Sequence, residues 1–514
     1  MGSFIAIQYG IQNYFDNPTL IFWLCFGVFM GVVFGVVPGL TATLGVTLML
    51  PFTFGMSPIQ GITILIGIYV GGIAGGFVAA ILLNIPGSPA SLVTCFDAKY
   101  IVAEGRASDA LILALYGSFI GGIFSAGILI FVAPQLARVA LMFGPWEYFA
   151  MGVMGLSIVV AVVAKSVIKG LIAAIIGLLL AMVGMDPVSG IARFTFGMWQ
   201  LGGGLDVLAT LMGLFALAEI LTQTRKLGRT KQEFAEAGKI PLYPSRELLR
   251  GKGRAYGLSC VIGTAIGLIP GIAQSTAALM SYMGVRGISK TPEKFGKGSD
   301  EGIIASETAN NACCGGALVP MMTMGIPGDI VTAVMLGGLI IHGLAPGPML
   351  FIHNVDVVGA MFIAYLAAAV LMYLMMLVIL RGFIKLLVIP MQFLFPVIMI
   401  MCILGTFAAN NRLFDSWVLF VIGILGYVML QNDFPLPPIV LGYILGPIVE
   451  RNFRTALIAS AGNHWAILGR PVALIMVLIG IFAVCYPLIK EIFVRAKAQK
   501  LQAAESQAEG SEEK

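Results

Sequence analysis

Charge is what this sequence has least of. Only 11% of its 514 residues are Asp, Glu, Lys or Arg, while 59% are hydrophobic; soluble domains carry roughly 25% charged residues. A water-soluble fold of this length would need a polar surface that these residues cannot supply, and the mean hydropathy of +0.98 agrees. Uncharged runs of about 20 residues recur, the length of a bilayer-crossing helix. They exclude a membrane barrel, whose strands would alternate apolar and polar. The N-terminus has no basic region ahead of its first charge, Asp16, so no cleaved signal is expected and the first helix should insert and stay.

Paired metal ligands are missing too. The seven cysteines (Cys25, Cys95, Cys260, Cys313, Cys314, Cys402 and Cys485) form no C-x-x-C, and the three histidines are scattered. Neither a disulfide framework nor a zinc site is indicated, and the cysteines read as small buried hydrophobes. No H-E-x-x-H and no G-x-x-x-x-G-K-[ST] occurs, and the I-P-G-D at 326–329 lacks the first glycine of an intramembrane aspartyl protease. No enzyme, no ATP-driven pump and no cofactor are expected, and a channel is the weaker transport alternative.

The charge that is present is concentrated. Between Thr222 and Arg254 lie nine basic residues (Arg225, Lys226, Arg229, Lys231, Lys239, Arg246, Arg250, Lys252 and Arg254) against Glu233, Glu236 and Glu247. The positive-inside rule places this 223–254 linker in the cytoplasm, with no need of nucleic acid as a partner. It divides the chain into a first membrane half, 1–222, and a second, 255–488; the mixed-charge tail 489–514 is also expected to be cytoplasmic.

The halves echo each other. FGVVPG at 34–39 returns as IGLIPG at 266–271, a separation of 232 residues, and AGGFVAAILLNIPGS at 74–88 returns as GGALVPMMTMGIPGD at 315–329, a separation of 241. The difference falls in the polar insertion 284–302; EGRA at 104–107 against HGLA at 342–345 is a weaker third match. Loop charges are opposed. FTFGMSPIQ (52–60) is uncharged where the second half carries Arg286, Lys290, Lys294 and Lys297, and Lys99 and Arg106 face an uncharged GGLIIHGLAPGP (337–348). The expected class is therefore an all-α polytopic membrane protein with two inverted repeats and roughly 11 crossing helices, a plan many secondary transporters share. The crossings are read at 59–83, 111–133, 146–164, 166–185 and 201–222, then 303–326, 355–380, 383–408, 416–431 and 471–488. Residues 432–470 are left unassigned.

Pro-Gly in an apolar run has a reason in this plan. Residues 256–284 lie between two basic segments, and each arm is about 20 Å long at 1.5 Å per residue, too short to cross. A re-entrant hairpin with Pro270-Gly271 at its tip is expected, and by inversion a second over 20–52 with Pro38-Gly39 at its tip. Irregular backbone at that depth belongs where it is buried in protein or lines a watery cavity. The plainer reading is a proline-kinked crossing helix.

Oxygen-rich side chains follow the breaks. For a small anion held by helix N-termini and hydroxyls, the candidates are Pro38, Gly39, Thr41, Thr43, Asn84, Pro86, Gly87, Ser88, Pro270, Gly271, Pro327 and Gly328. For an alkali cation held by hard oxygen ligands, they are Gln274, Ser275, Thr276, Glu307, Asn310, Asn311, Thr323 and Asp329. Glu307 and Asp329 stand out because buried carboxyls are expensive in a membrane, although Glu307 could equally be solvated near Asp300 and Glu301. His342 reads as structural. The hairpins contain no Lys or Arg before Arg286, so no guanidinium clamp is expected.

NIPGSPASLVTCFDAKYIVAEGRASDAL, EGIIASETANNACCGGALVPMMTMGIPGD, IIHGLAPGPML and LGYILGPIVERNFR (441–454) resemble the large membrane subunit of the tripartite tricarboxylate transporters, across nearly the whole chain. That resemblance implies a bacterial inner-membrane secondary transporter working with a small membrane subunit and a periplasmic solute-binding protein. It further implies citrate-like di- and tricarboxylate substrates, sodium coupling and an elevator-like design. The scaffold would come from helices such as 111–222 and 355–431. A proton-coupled carrier of another small anion is the alternative. The family pattern carries a small hydroxyl residue where this chain has Phe77.

Overall fold

The computed structural model describes residues 3–163, 166–186, 188–225, 240–272, 274–382 and 391–489, and these are almost entirely helical. The first half builds α1 (Ser3–Asp16), α2 (Thr19–Val36), α3 (Ala42–Thr53), α4 (Pro58–Leu82), α5 (Leu92–Ala103), α6 (Ala107–Ala140), α7 (Pro145–Val163), α8 (Val167–Ala181), α9 (Val207–Leu211) and α10 (Ala218–Thr224). A π-helical stretch, Met212–Leu217, joins the last two. The second half builds α11 (Arg246–Leu249), α12 (Gly253–Gly267), α13 (Gln274–Ile288), α14 (Asp300–Met324), α15 (Ile330–Ile341), α16 (Leu350–His353), α17 (Val355–Gly382), α18 (Met391–Asn410), α19 (Leu413–Gln431) and α20 (Leu436–Ala459). The last described helix is α21 (Pro471–Ile489). The two-residue strands β1 (Gly184–Met185) and β2 (Ala192–Arg193) pair antiparallel.

Eight described helical segments are long and apolar enough to cross a membrane, fewer than the roughly 11 expected. Two of the expected crossings account for part of the shortfall. α8 covers only 15 residues of 166–185, and α14, with 25 residues, carries too many polar groups. The unassigned region 432–470 contains α20 and a short 3-10 turn, His464–Gly469. Residues 226–239 of the linker, 383–390 and the tail beyond 489 lie outside the described residues.

The four Pro-Gly sites of the paired motifs interrupt helices: α2 from α3, α4 from α5, α12 from α13 and α14 from α15. Local chemistry explains the restarts. Thr41 Oγ1 caps α3 by accepting from the Leu44 N–H at 3.1 Å, satisfying one of the orphan donors of a helix N-terminus. Gly39 and Gly271 turn the chain at φ 88° and 78°, backbone that residues with a Cβ avoid.

The second pair of breaks shares a finer geometry. Ser88 and Ser91 bond reciprocally, each backbone N–H donating to the other hydroxyl at 2.9 and 3.3 Å. At the same offset of 241 residues, Asp329 and Thr332 repeat this reciprocal pair at 2.8 and 2.6 Å, there as the capping box of α15. A Cβ on Gly87 would stand 2.9 Å from the Gly76 carbonyl oxygen, and one on Gly328 would stand 2.8 Å from that of Ala317, which is residue 76 at the same offset. Both turns therefore fold back onto their preceding helix so closely that only glycine fits.

The chain divides into two compact units, and neither is a sequence half. The larger comprises 1–142, 183–186 and 190–432 and carries all four breaks; the smaller comprises 143–182, 187–189 and 433–514. The larger unit is centred on α4 and α14, whose side chains are buried almost throughout. Of the segments expected to form a separate scaffold, 111–140, 207–224 and 355–431 fall in the same unit as the breaks. In the smaller unit, Trp146, Phe149 and Phe453 make an aromatic cluster joining α7 to α20, and α20 passes α8 closely at Gly177 and Gly442.

Candidate functional site

The tips differ between the halves. Pro38, Gly39, Thr41, Thr43 and Ser88 are half-buried and Asn84 and Pro86 are exposed, Asn84 at a positive φ of 52°. Gly87, Pro270, Gly271, Pro327 and Gly328 are buried. The first-half breaks therefore offer polar atoms at an accessible surface, whereas the second-half breaks are packed in protein.

The buried polar chemistry gathers on α14. Glu307, Asn310 and Cys314 sit at helical spacing on one face. Glu307 is fully buried and Asn310 is 1% exposed. Thr94 of α5 donates to Glu307 Oε1 at 2.5 Å and lies 2.9 Å from the Ser306 hydroxyl. Glu307 Oε2 and both amide atoms of Asn310 complete no hydrogen bond of good geometry, although the Asn310 amide faces the Glu307 carboxyl. Two turns along, Cys314 lies beside Tyr69 and Gln274. Tyr69 of α4 and Gln274 of α13 both donate to Asp329 Oδ2.

The structure thus brings Gln274 and Asp329 into direct contact and lines up Glu307 and Asn310 on the same helix face. The other cation candidates are placed differently. Asp329 Oδ1 already accepts from the Thr332 N–H and hydroxyl, so both its oxygens are occupied in this conformation and it serves as a helix cap. The Asn311 amide donates to Ser118 at 2.9 Å and to the Glu307 carbonyl at 3.1 Å, and Tyr365 donates to the Asn311 carbonyl. Thr323 bonds back to the Val319 carbonyl. Ser275 and Thr276 are half-buried in the first turn of α13. Thr308 has a buried hydroxyl without a partner, but it faces α6, where a Cβ on Gly117 would meet it at 2.8 Å. Glu307 is not solvated beside Asp300 and Glu301. His342 pairs with Thr53 at 3.1 Å, a structural contact. Phe77 is fully buried.

Two participants, Tyr69 and Asp97, and one pairing of the Thr94 hydroxyl escaped the sequence reading. Tyr69 was hidden in an apolar run, yet it precedes Asn310 by the same 241 residues that relate the second motifs, and that offset was the available signal. The Thr94–Glu307 bond joins two residues 213 apart and has no local signature. Asp97, also fully buried, accepts the backbone N–H groups of Gly296, Gly298 and Ser299 at 2.8–2.9 Å and the Tyr282 hydroxyl at 2.8 Å. That anchors α5 to the loop before α14.

Comparison with known proteins decides the family. The sequence model described as "Tripartite tricarboxylate transporter TctA family" matches residues 21–441. The chain belongs to this family. An uncharacterized 52.8 kDa protein in the TAR-I ttuC' 3' region of Agrobacterium vitis is 34% identical over 485 residues, which are 94% of this chain and 96% of that protein. A second A. vitis protein, from the TAR-II ttuC' 3' region, is 32% identical over 230 residues, covering 45% of this chain and 95% of its own length. No solved structure matches. Membership makes the TctA-family chain a multi-pass membrane subunit of a tripartite transporter, which works with partner subunits and is a transporter rather than an enzyme.

Proposed function

We propose that this subunit imports a small di- or tricarboxylate, citrate-like in class, across the bacterial inner membrane together with the downhill entry of a cation, sodium in the first instance. The substrate would be delivered by a periplasmic solute-binding protein and the membrane complex completed by a small membrane subunit. The observation that carries this reading is the buried pair of Glu307 and Asn310. An acid inside a membrane protein with an unpaired oxygen, next to an amide with both atoms unpaired, is expensive unless it binds something. Carboxylate and amide oxygens are hard ligands suited to an alkali cation.

The anion is assigned to the accessible polar atoms of the first-half breaks, Thr43, Asn84 and Ser88, with the helix N-terminus that follows Pro38-Gly39. The recurrence of the reciprocal pair and of the glycine contacts at one offset supports reading the halves as inverted repeats with re-entrant hairpins at 20–52 and 256–284. In an elevator-like cycle, the unit bearing all four breaks would carry the site.

Uptake of labelled citrate into proteoliposomes holding this chain and its small subunit, with the binding protein outside and no ATP, tests the reading. Accumulation that requires an inward sodium gradient and the binding protein is expected. Equilibration without accumulation would sink the coupled carrier. A second reading rests on the same open oxygen of Glu307, which suits a proton as well. Accumulation driven by a proton gradient alone would replace sodium and keep the rest.

A further inference from the structure

The strongest unassigned feature lies away from the breaks, where the α5–α6 turn, the start of α12 and the loop before α14 meet. A cavity of about 640 Å³ opens there, within the range of small-molecule sites. Six basic side chains line it, Arg106, Arg250, Lys252, Arg254, Lys290 and Lys294, against the acids Asp300 and Glu301, an excess of four positive charges.

The acids are already engaged. Asp300 bridges Arg106 at 3.0 Å and Lys252 at 2.6 Å, and Glu301 accepts from Ser289. Arg106 also holds Asp109 at 3.1 Å. Arg250, Arg254, Lys290 and Lys294 are exposed and have no acidic partner among the described residues. Four like charges around one concavity repel one another and raise the local concentration of anions. The ordinary reading of basic residues beside a membrane is a topology signal, but that rule requires no cavity and no rigid floor. Here the Asp300 bridges and the Asp97 anchor supply the floor.

We propose that this cavity is a second anion site, separate from the transport site, that takes a small multiply charged oxyanion from the face carrying the basic segments. Asp300 and Glu307 are seven residues apart on α14, about 10 Å along the helix, so the two sites do not share ligands. The shared chemistry is several oxyanion groups on a compact body, supplied by a soluble polyphosphate or polycarboxylate or by an anionic lipid headgroup. Arginine forks and lysine ammoniums both suit such groups.

The test uses the full chain in non-ionic detergent, with inorganic tripolyphosphate as the probe. A saturable rise in the unfolding midpoint is expected, about 5 °C at roughly 100 times Kd. The triple variant Arg254→Gln/Lys290→Gln/Lys294→Gln should keep the unliganded midpoint, because these side chains hold no partner, and should weaken binding at least tenfold. Lys290→Gln alone should give a smaller loss. No saturable shift, an equal shift from sodium chloride at matched ionic strength, or an undiminished shift in the triple variant would overturn the proposal. Nanodiscs separate the sources. A shift retained in phosphatidylcholine but abolished in phosphatidylglycerol assigns the site to a lipid headgroup, and one retained in both assigns it to a soluble anion.

Discussion

Asp97 and Glu307 are two fully buried acids across the same helix pair, α5 and α14, and they are treated in opposite ways. Asp97 accepts four hydrogen bonds, three of them from backbone N–H groups. Glu307 accepts one side-chain hydrogen bond, from Thr94, and its second oxygen is open. Thr94 and Asp97 stand three apart on α5, so one helix face serves both. A saturated buried acid fixes structure, because each donor it holds would otherwise be orphaned. An unsaturated one keeps capacity for a ligand, and in a membrane that capacity costs too much to be incidental.

The contrast can be broken by substitution. The largest effect is expected at Asp97→Ala, which orphans three N–H groups and a hydroxyl and should cost about 3–5 kcal/mol of stability, read as a lower unfolding midpoint in detergent. Glu307→Gln should do the reverse. It should leave the midpoint within about 1 kcal/mol, since few native bonds are lost, yet weaken the coupling cation about 100-fold in a titration of uptake. If Asp97→Ala is as stable as the parent, or Glu307→Gln transports normally, the distinction between the two acids is wrong.

Smaller changes sharpen it. Tyr69→Phe removes one of the two donors to Asp329 Oδ2 while Gln274 remains, so a loss of about 1.5 kcal/mol is expected, with the cation dependence of uptake unaltered. A shifted cation dependence would instead place Asp329 among the ligands. Ser88→Ala removes half of the serine box at the first-half break. About 1 kcal/mol is expected in stability, accompanied by a raised KM for the carboxylate if Ser88 touches it.

Much of this was legible in the sequence for a physical reason. Pro-Gly breaks a helix wherever it falls, so the four interruptions at 38–39, 86–87, 270–271 and 327–328 could be read directly, and the offsets 232 and 241 predicted which interruptions would look alike. The length of α8 was misjudged because apolar composition between 166 and 185 does not reveal where a helix stops; the chain turns into the β1–β2 hairpin instead. Among the site residues, Asp329 and Glu307 both stand out as acids expensive to bury, and the neighbouring Asp300 and Glu301 make Glu307 the one that reads as solvated. Their difference lies in partners from α4, α13 and α5, up to 260 residues away.

By itself the sequence determined the class, the helix breaks and the inventory of oxygen ligands, because hydropathy, proline geometry and side-chain chemistry are local properties. Only the tertiary structure decided which ligands are already occupied. Hydrogen-bond saturation depends on donors brought in by distant helices, and it leaves Glu307 and Asn310 open while closing Asp329 and Asp97.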